Sequence, residues 1–153
     1  MFEQLLNIFR HSVEALPPAE AETLFQRGVA HFKAGDYSHA RDCWQRAAER
    51  GHVGARFNLG WLYQSGVGVA PDLNRARHCY EQAAAAGSGE ALFYLGLLYE
   101  NGKGVPKDDD RAQDYYRRGA AHGHAGARAR VKEAWRWGEV DVDLARARSQ
   151  PRP

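Results

Sequence analysis

Three things are scarce in this sequence: cysteine, charge of one sign, and long apolar runs. There are two cysteines in 153 residues, Cys43 and Cys79, with no C-x2-C spacing for a zinc knot. Lys and Arg number 21 against 19 Asp and Glu. A dedicated nucleic-acid binder concentrates basic charge on one face, so this balance argues against that class. The arginines Arg56, Arg75, Arg77, Arg117, Arg118, Arg128 and Arg130 are scattered among acids and read as a solvated surface. The apolar stretches are short and interrupted, which excludes a membrane span. The first 16 residues also lack a secretory layout. Glu3, Gln4 and Asn7 break the apolar run, and the first basic residue, Arg10, follows it. A cytoplasmic setting is the default expectation.

Catalytic signatures are missing too. Gly66-Val67-Gly68 and Gly102-Lys103-Gly104 lack the G-x4-G-K-[ST] spacing of a phosphate loop. Among seven histidines there is no H-E-x2-H pair. His122 and His124 read as a solvated pair across a turn, and the Asp108–Asp110 run as helix-capping carboxylates. No Ser, Cys or Lys has a recognisable base partner. The expectation is no catalytic residue, no metal and no cofactor.

What is present is a repeat. Ala55, Leu59, Gly60, Tyr63, Gly66, Gly68, Asp72, Ala76, Tyr80, Ala84 and Gly87 recur 36 residues on. They return as Ala91, Leu95, Gly96, Tyr99, Gly102, Gly104, Asp108, Ala112, Tyr116, Ala120 and Gly123. A fixed period of this length means stacked supersecondary units. Each unit reads as a helix A, a Gly-rich loop, a helix B and a turn. Ala91, Leu95, Leu98 and Tyr99 stand at helical spacing, and Asn101-Gly102 stops the helix. Asp108 opens helix B, whose expected stripe is Ala112, Tyr115, Tyr116 and Ala120. Gly119 replaces the Ala83 of the unit before, at a cost in helix propensity. Gly60, Gly96, Ala76 and Ala112 allow close helix approach, with Tyr63, Tyr80, Tyr99 and Tyr116 filling the core beside them.

The first unit is a variant. Helix B aligns at an offset of 36 and helix A at 32, so its A–B loop is four residues shorter. The units are assigned to residues 19–54, 55–90 and 91–126. A partial capping unit follows over 127–148, and a disordered tail over 149–153. Residues 1–18 form an amphipathic helix, with Phe2, Leu5, Leu6, Phe9 and Val13 on one face, and a Pro17-Pro18 linker. That helix caps the first unit, fills the chain's own groove, or mediates homodimerisation. Its polar face carries Glu3, Gln4 and Asn7, which does not suit a membrane surface. Cys43 and Cys79 occupy one position in neighbouring units. Equivalent helices in a stack lie roughly 8–10 Å apart, too far for a disulfide, so two reduced, buried thiols are expected.

The segments ARFNLGWLYQSGVGVAPDLNRARHCYEQAAAAG and ALFYLGLLYENGKGVPKDDDRAQDYYRRGAAHG resemble the Sel1-like repeat, the longer-looped relative of the tetratricopeptide repeat. The short GDY turn of the first unit is similar to a tetratricopeptide unit. The resemblance implies an all-α, right-handed α-solenoid and an adaptor role in assembling protein complexes, common in bacteria. It supplies no catalytic residue. In stacks of this kind helix A lines the concave side. The groove residues are then Phe25, Val29, Phe57, Asn58, Trp61, Phe93, Tyr94, Leu97, Arg130 and Arg136. Large apolar side chains here either pack sideways on the next unit or form an exposed strip that takes a peptide or amphipathic helix. Asn58 suits a peptide backbone, and Arg130 and Arg136 a carboxylate. The expected function is a non-catalytic protein–protein interaction module. The alternative is an immunity-type or inhibitory protein that occludes one partner enzyme.

Overall fold

A computed structural model describes residues 18–136, with side chains over 19–131. The expected N-terminal helix at 2–15, most of the fourth unit and the tail lie outside the described residues. Within them the chain forms seven helices and no strand. These are α1 (Pro18–Lys33), α2 (Tyr37–Glu49), α3 (Val53–Ser65), α4 (Leu73–Ala85), α5 (Gly89–Asn101), α6 (Asp109–Ala121) and α7 (Ala125–Arg136). Each helix packs chiefly on its neighbours in sequence, with a smaller contact between α5 and α7. The array is an α-solenoid of A helices (α1, α3, α5, α7) alternating with B helices (α2, α4, α6). Among the described residues no helix is long and apolar enough to cross a membrane.

Helix boundaries follow capping chemistry. A carboxylate accepts a backbone N–H at the start of each B helix: Asp36 from His39 at 3.3 Å, Asp72 from Arg75 at 3.0 Å, and Asp108 from Arg111 at 3.0 Å. The A helices use a second series at the same 36-residue period. His52 Nδ1 accepts from Ala55, Ser88 Oγ from Ala91 and His124 Nδ1 from Ala127, all at 3.1 Å. At the far ends of α3 and α5, Gly66 and Gly102 adopt φ of 71° and 63°, a left-handed cap that an L side chain resists. The A–B connection spans residues 34–36 in the first unit. It spans 66–72 and 102–108 in the next two, four residues more, as the sequence offsets require.

The core is a series of glycine–aromatic seams. A Cβ on Gly28 would sit 2.4 Å from Trp44, one on Gly60 2.6 Å from Tyr80, and one on Gly96 2.4 Å from Tyr116. In each unit a bare patch on helix A therefore receives a ring from helix B. Tyr80 and Tyr116 are wholly buried. Hiding a ring of this size removes roughly 150–250 Å² from water. That is worth roughly 4–6 kcal/mol at most. The polar tips are satisfied: Tyr80 donates to Gln64 at 2.8 Å, Tyr116 to Glu100 at 2.9 Å, and the Trp44 indole to the Phe25 carbonyl at 3.2 Å.

The loops lock unit to unit. Built at Gly68, a Cβ would lie 2.3 Å from Tyr37 Cβ, and at Gly104, 2.7 Å from Leu73 Cβ. Tyr37 and Leu73 are the first residues of the preceding B helices, again 36 apart. The second glycine of each loop thus admits the previous unit, which accounts for the G-x-G pattern without a phosphate.

Several expectations need adjustment. Cys43 and Cys79 are both free thiols, but only Cys43 is buried; Cys79 is half-buried. Tyr63 is half-buried, with the Arg75 guanidinium 5.6 Å from its ring centre. Gly119, read as a cost, has a reason. Its Cβ would meet Ala127 Cβ at 3.1 Å, the Gly89 carbonyl at 3.3 Å and Leu92 Cβ at 3.4 Å. Gly119 rather than Ala120 is the buried member of that turn. His124 is no solvated histidine, since it caps α7 and stacks on Phe93 at 4.6 Å.

Candidate functional site

The candidate site is the face of the A helices left over once the core is made. On α5, Ala91, Leu95, Leu98 and Tyr99 are buried, whereas Phe93, Tyr94 and Leu97 keep partial exposure. On α3, Ala55, Leu59 and Leu62 are buried, and Phe57, Asn58 and Trp61 are half-buried. Phe25 and Val29 on α1 and Arg130 on α7 match them. Arg136 ends α7, and its side chain lies outside the described residues.

These side chains are tied into the stack as well as facing outward. Phe25 lies parallel to the His52 ring at 4.3 Å, and Phe93 to that of His124 at 4.6 Å. In both cases the ring of one unit stacks on the residue capping the A helix of the next. Unit two has Ser88 at the capping position, and Phe57 turns instead to Tyr94 at 5.3 Å and Tyr80 at 5.6 Å. Trp61 meets Phe32 edge-on at 5.8 Å. These side chains thus pack sideways on neighbouring units while keeping partial exposure. Among the described residues the only large hydrophobic classed as exposed is Tyr37.

The polar members are partly engaged. Arg130 pairs with Glu100 at 3.0 Å and lies 5.9 Å from the Tyr116 ring centre. Glu100 thus joins α5, α6 and α7 through one carboxylate. His52 accepts from Ala55 at Nδ1, so Nε2 carries the proton and donates to Glu22 at 2.9 Å. Hydrogen bonds from Gln26 and His52 hold the Glu22 carboxyl below its usual range.

A second concavity, which the sequence reading did not anticipate, lies between the B helices. It is a cleft of about 620 Å³ floored by Leu59 and Tyr63 of α3 and walled by Gln45 of α2 and by Arg75, His78 and Cys79 of α4. Its signal in the sequence was the polar run on helix B opposite Ala76 and Tyr80. Burial pushes the Cys79 thiol up, away from thiolate. Burial likewise raises the phenols of Tyr80, Tyr115 and Tyr116.

The Sel1 repeat model matches residues 53–88 and 89–124, and the tetratricopeptide repeat model matches residues 21–50. No curated protein matches the chain. Among solved structures, a Sel1 repeat protein from Oxalobacter formigenes is 31% identical, with a TM-score of 0.69, over 80% of this chain and 50% of its own. A protective antigen of uropathogenic Escherichia coli displaying an SLR fold is 27% identical, with a TM-score of 0.71, over 77% of this chain and 27% of its own. The chain thus spans half of the first relative and about a quarter of the second. Cysteine rich protein B of Helicobacter pylori shares the fold at 19% identity and a TM-score of 0.57, over 74% of this chain and 96% of its own. With two Sel1 repeats behind a tetratricopeptide unit, the chain belongs to the Sel1 repeat family of tetratricopeptide-like proteins.

Proposed function

We propose that the chain is a non-catalytic interaction module that binds a peptide or amphipathic helix of a partner protein along the face of α1, α3, α5 and α7. One observation carries the reading. Phe25, Val29, Phe57, Trp61, Phe93 and Leu97 all retain partial exposure on successive A helices, although buried residues on the same helices already complete the core. Rigid aromatic side chains held by their neighbours lose little freedom on binding, which makes them effective anchors. Asn58 and Tyr94 add hydrogen-bonding groups beside them. The fold supports the class, since Sel1 and tetratricopeptide arrays generally serve protein–protein interaction.

The test is affinity capture with the full chain, followed by binding measurements on each captured partner. Trp61→Ala and Leu97→Ala are expected to weaken binding by about tenfold or more, the loss typical of an anchor worth over 1 kcal/mol. His78→Ala, in the cleft between α2 and α4, is expected to leave binding unchanged. Unchanged affinity in the first pair, with loss in the His78 variant, would move the binding surface to the other side of the array.

A further inference from the structure

One station repeats in all three units, and the first unit fills it differently. In each unit the backbone N–H of the residue capping helix B donates to a carbonyl near the end of helix A. These pairs are Asp36 to His31 at 2.9 Å, Asp72 to Tyr63 at 2.8 Å, and Asp108 to Tyr99 at 3.0 Å. The equivalence is therefore structural as well as sequential. In units two and three the capping carboxylate pairs with the arginine three residues on, Arg75 at 3.4 Å and Arg111 at 3.3 Å. Each guanidinium also lies over the helix A tyrosine, at 5.6 Å and 5.5 Å. That arrangement is closed: arginine has no lone pair to give. In unit one both variable positions are histidine. His39 stands where Arg75 and Arg111 do, and His31 where Tyr63 and Tyr99 do.

The result is a convergence of donor atoms. His39 Nδ1 lies 2.7 Å from Asp36 Oδ2, and His31 Nδ1 lies 3.3 Å from the same oxygen. One ligand atom from each of the three residues lies within 4.8 Å of the others. Around a tetrahedral zinc ion with bonds of about 2.0–2.1 Å, ligand atoms are separated by roughly 3.4 Å. The His31–Asp36 distance already fits, and the His39–Asp36 distance needs only a small side-chain rotation. The two rings stack at 5.3 Å with 25° between their planes, so their Nδ1 atoms approach the carboxylate together. The exposure of the three side chains, 36, 39 and 70%, leaves coordination positions to water.

We propose that His31, Asp36 and His39 form a binding site for a divalent first-row transition-metal ion of the zinc class at the α1–α2 turn. Two imidazoles and a carboxylate are a borderline donor set suited to such ions and not to magnesium or calcium. In the bound state each imidazole carries its proton on Nε2 and gives its Nδ1 lone pair to the ion. No redox or covalent step is involved.

The test is calorimetric titration of the full chain with Zn²⁺ alone in a non-chelating buffer. One ion per chain is expected, with a rise in melting temperature as metal is added. The double substitution His31→Tyr with His39→Arg rebuilds the station of the other two units and is expected to fold. It should weaken Zn²⁺ binding by at least about tenfold and abolish the thermal shift. His39→Gln, at the most exposed position, gives the same result with the least disturbance of packing. His122→Gln should change nothing. Wild-type chain that takes up no Zn²⁺, or a double variant or His39→Gln variant that binds it as tightly as wild type, would overturn the proposal.

Discussion

Gly28, Gly60 and Gly96 are the residues on which unit geometry turns, and each is defined by what it lacks. Replacing glycine by alanine inside a helix ordinarily stabilises it by about 1 kcal/mol. At Gly96 the new methyl would sit 2.4 Å from the Tyr116 ring. That ring is fully buried and held by Glu100, so it has nowhere to go. Overpacking of this kind costs about 1–3 kcal/mol and outweighs the propensity gain. Gly96→Ala is therefore expected to lower the urea midpoint. Gly123→Ala instead tests backbone strain alone, since no atom lies within 4 Å at its φ of 88°. The seam residues were legible in the sequence, because Gly and Tyr repeat in register. Gly119 was not, because only the neighbouring Gly89, Leu92 and Ala127 show why a side chain is excluded there.

Helices in this chain are punctuated by two capping series, and only one could be read from residue type. Asp36, Asp72 and Asp108 are conventional caps. His52 and His124 are not, yet both fall at the 36-residue spacing of Ser88, a conventional cap that marks the position. The imidazole does three things at once. It caps its own helix, stacks on the phenylalanine of the unit before, and in His52 bonds Glu22. His52→Ala is expected to cost about 1–2 kcal/mol. His52→Ser, which copies Ser88, should recover the capping part and leave only the loss of stacking and of the Glu22 bond. Chemical denaturation of the two variants separates these contributions; equal destabilisation would mean that the cap itself adds nothing. The same composite roles explain why the A-helix face was hard to assign. Spacing placed Phe25, Phe57 and Phe93 on one row, but it could not say that each ring would lie half against the next unit and half open.

At the scale of the whole molecule, the period decided the architecture, since eleven positions do not return the same residue at one offset unless the same packing problem is solved twice. What the period could not supply was the cleft between α2 and α4 or the histidine station at the α1–α2 turn. Both depend on how units differ or how they are staggered, and a repeat pattern records only what they share. A unit is not self-sufficient. Tyr37 and Leu73 pack on the loops of the units after them, and Phe25 and Phe93 on the caps of theirs. Nearest-neighbour interfaces therefore carry much of the folding free energy. The most direct measurement is circular dichroism with thermal melting of a fragment spanning residues 53–88 beside one spanning residues 18–136. The single unit is expected to show little helix and no cooperative melt, while the longer fragment melts in one transition. A single unit that is fully helical and melts cooperatively on its own would contradict it.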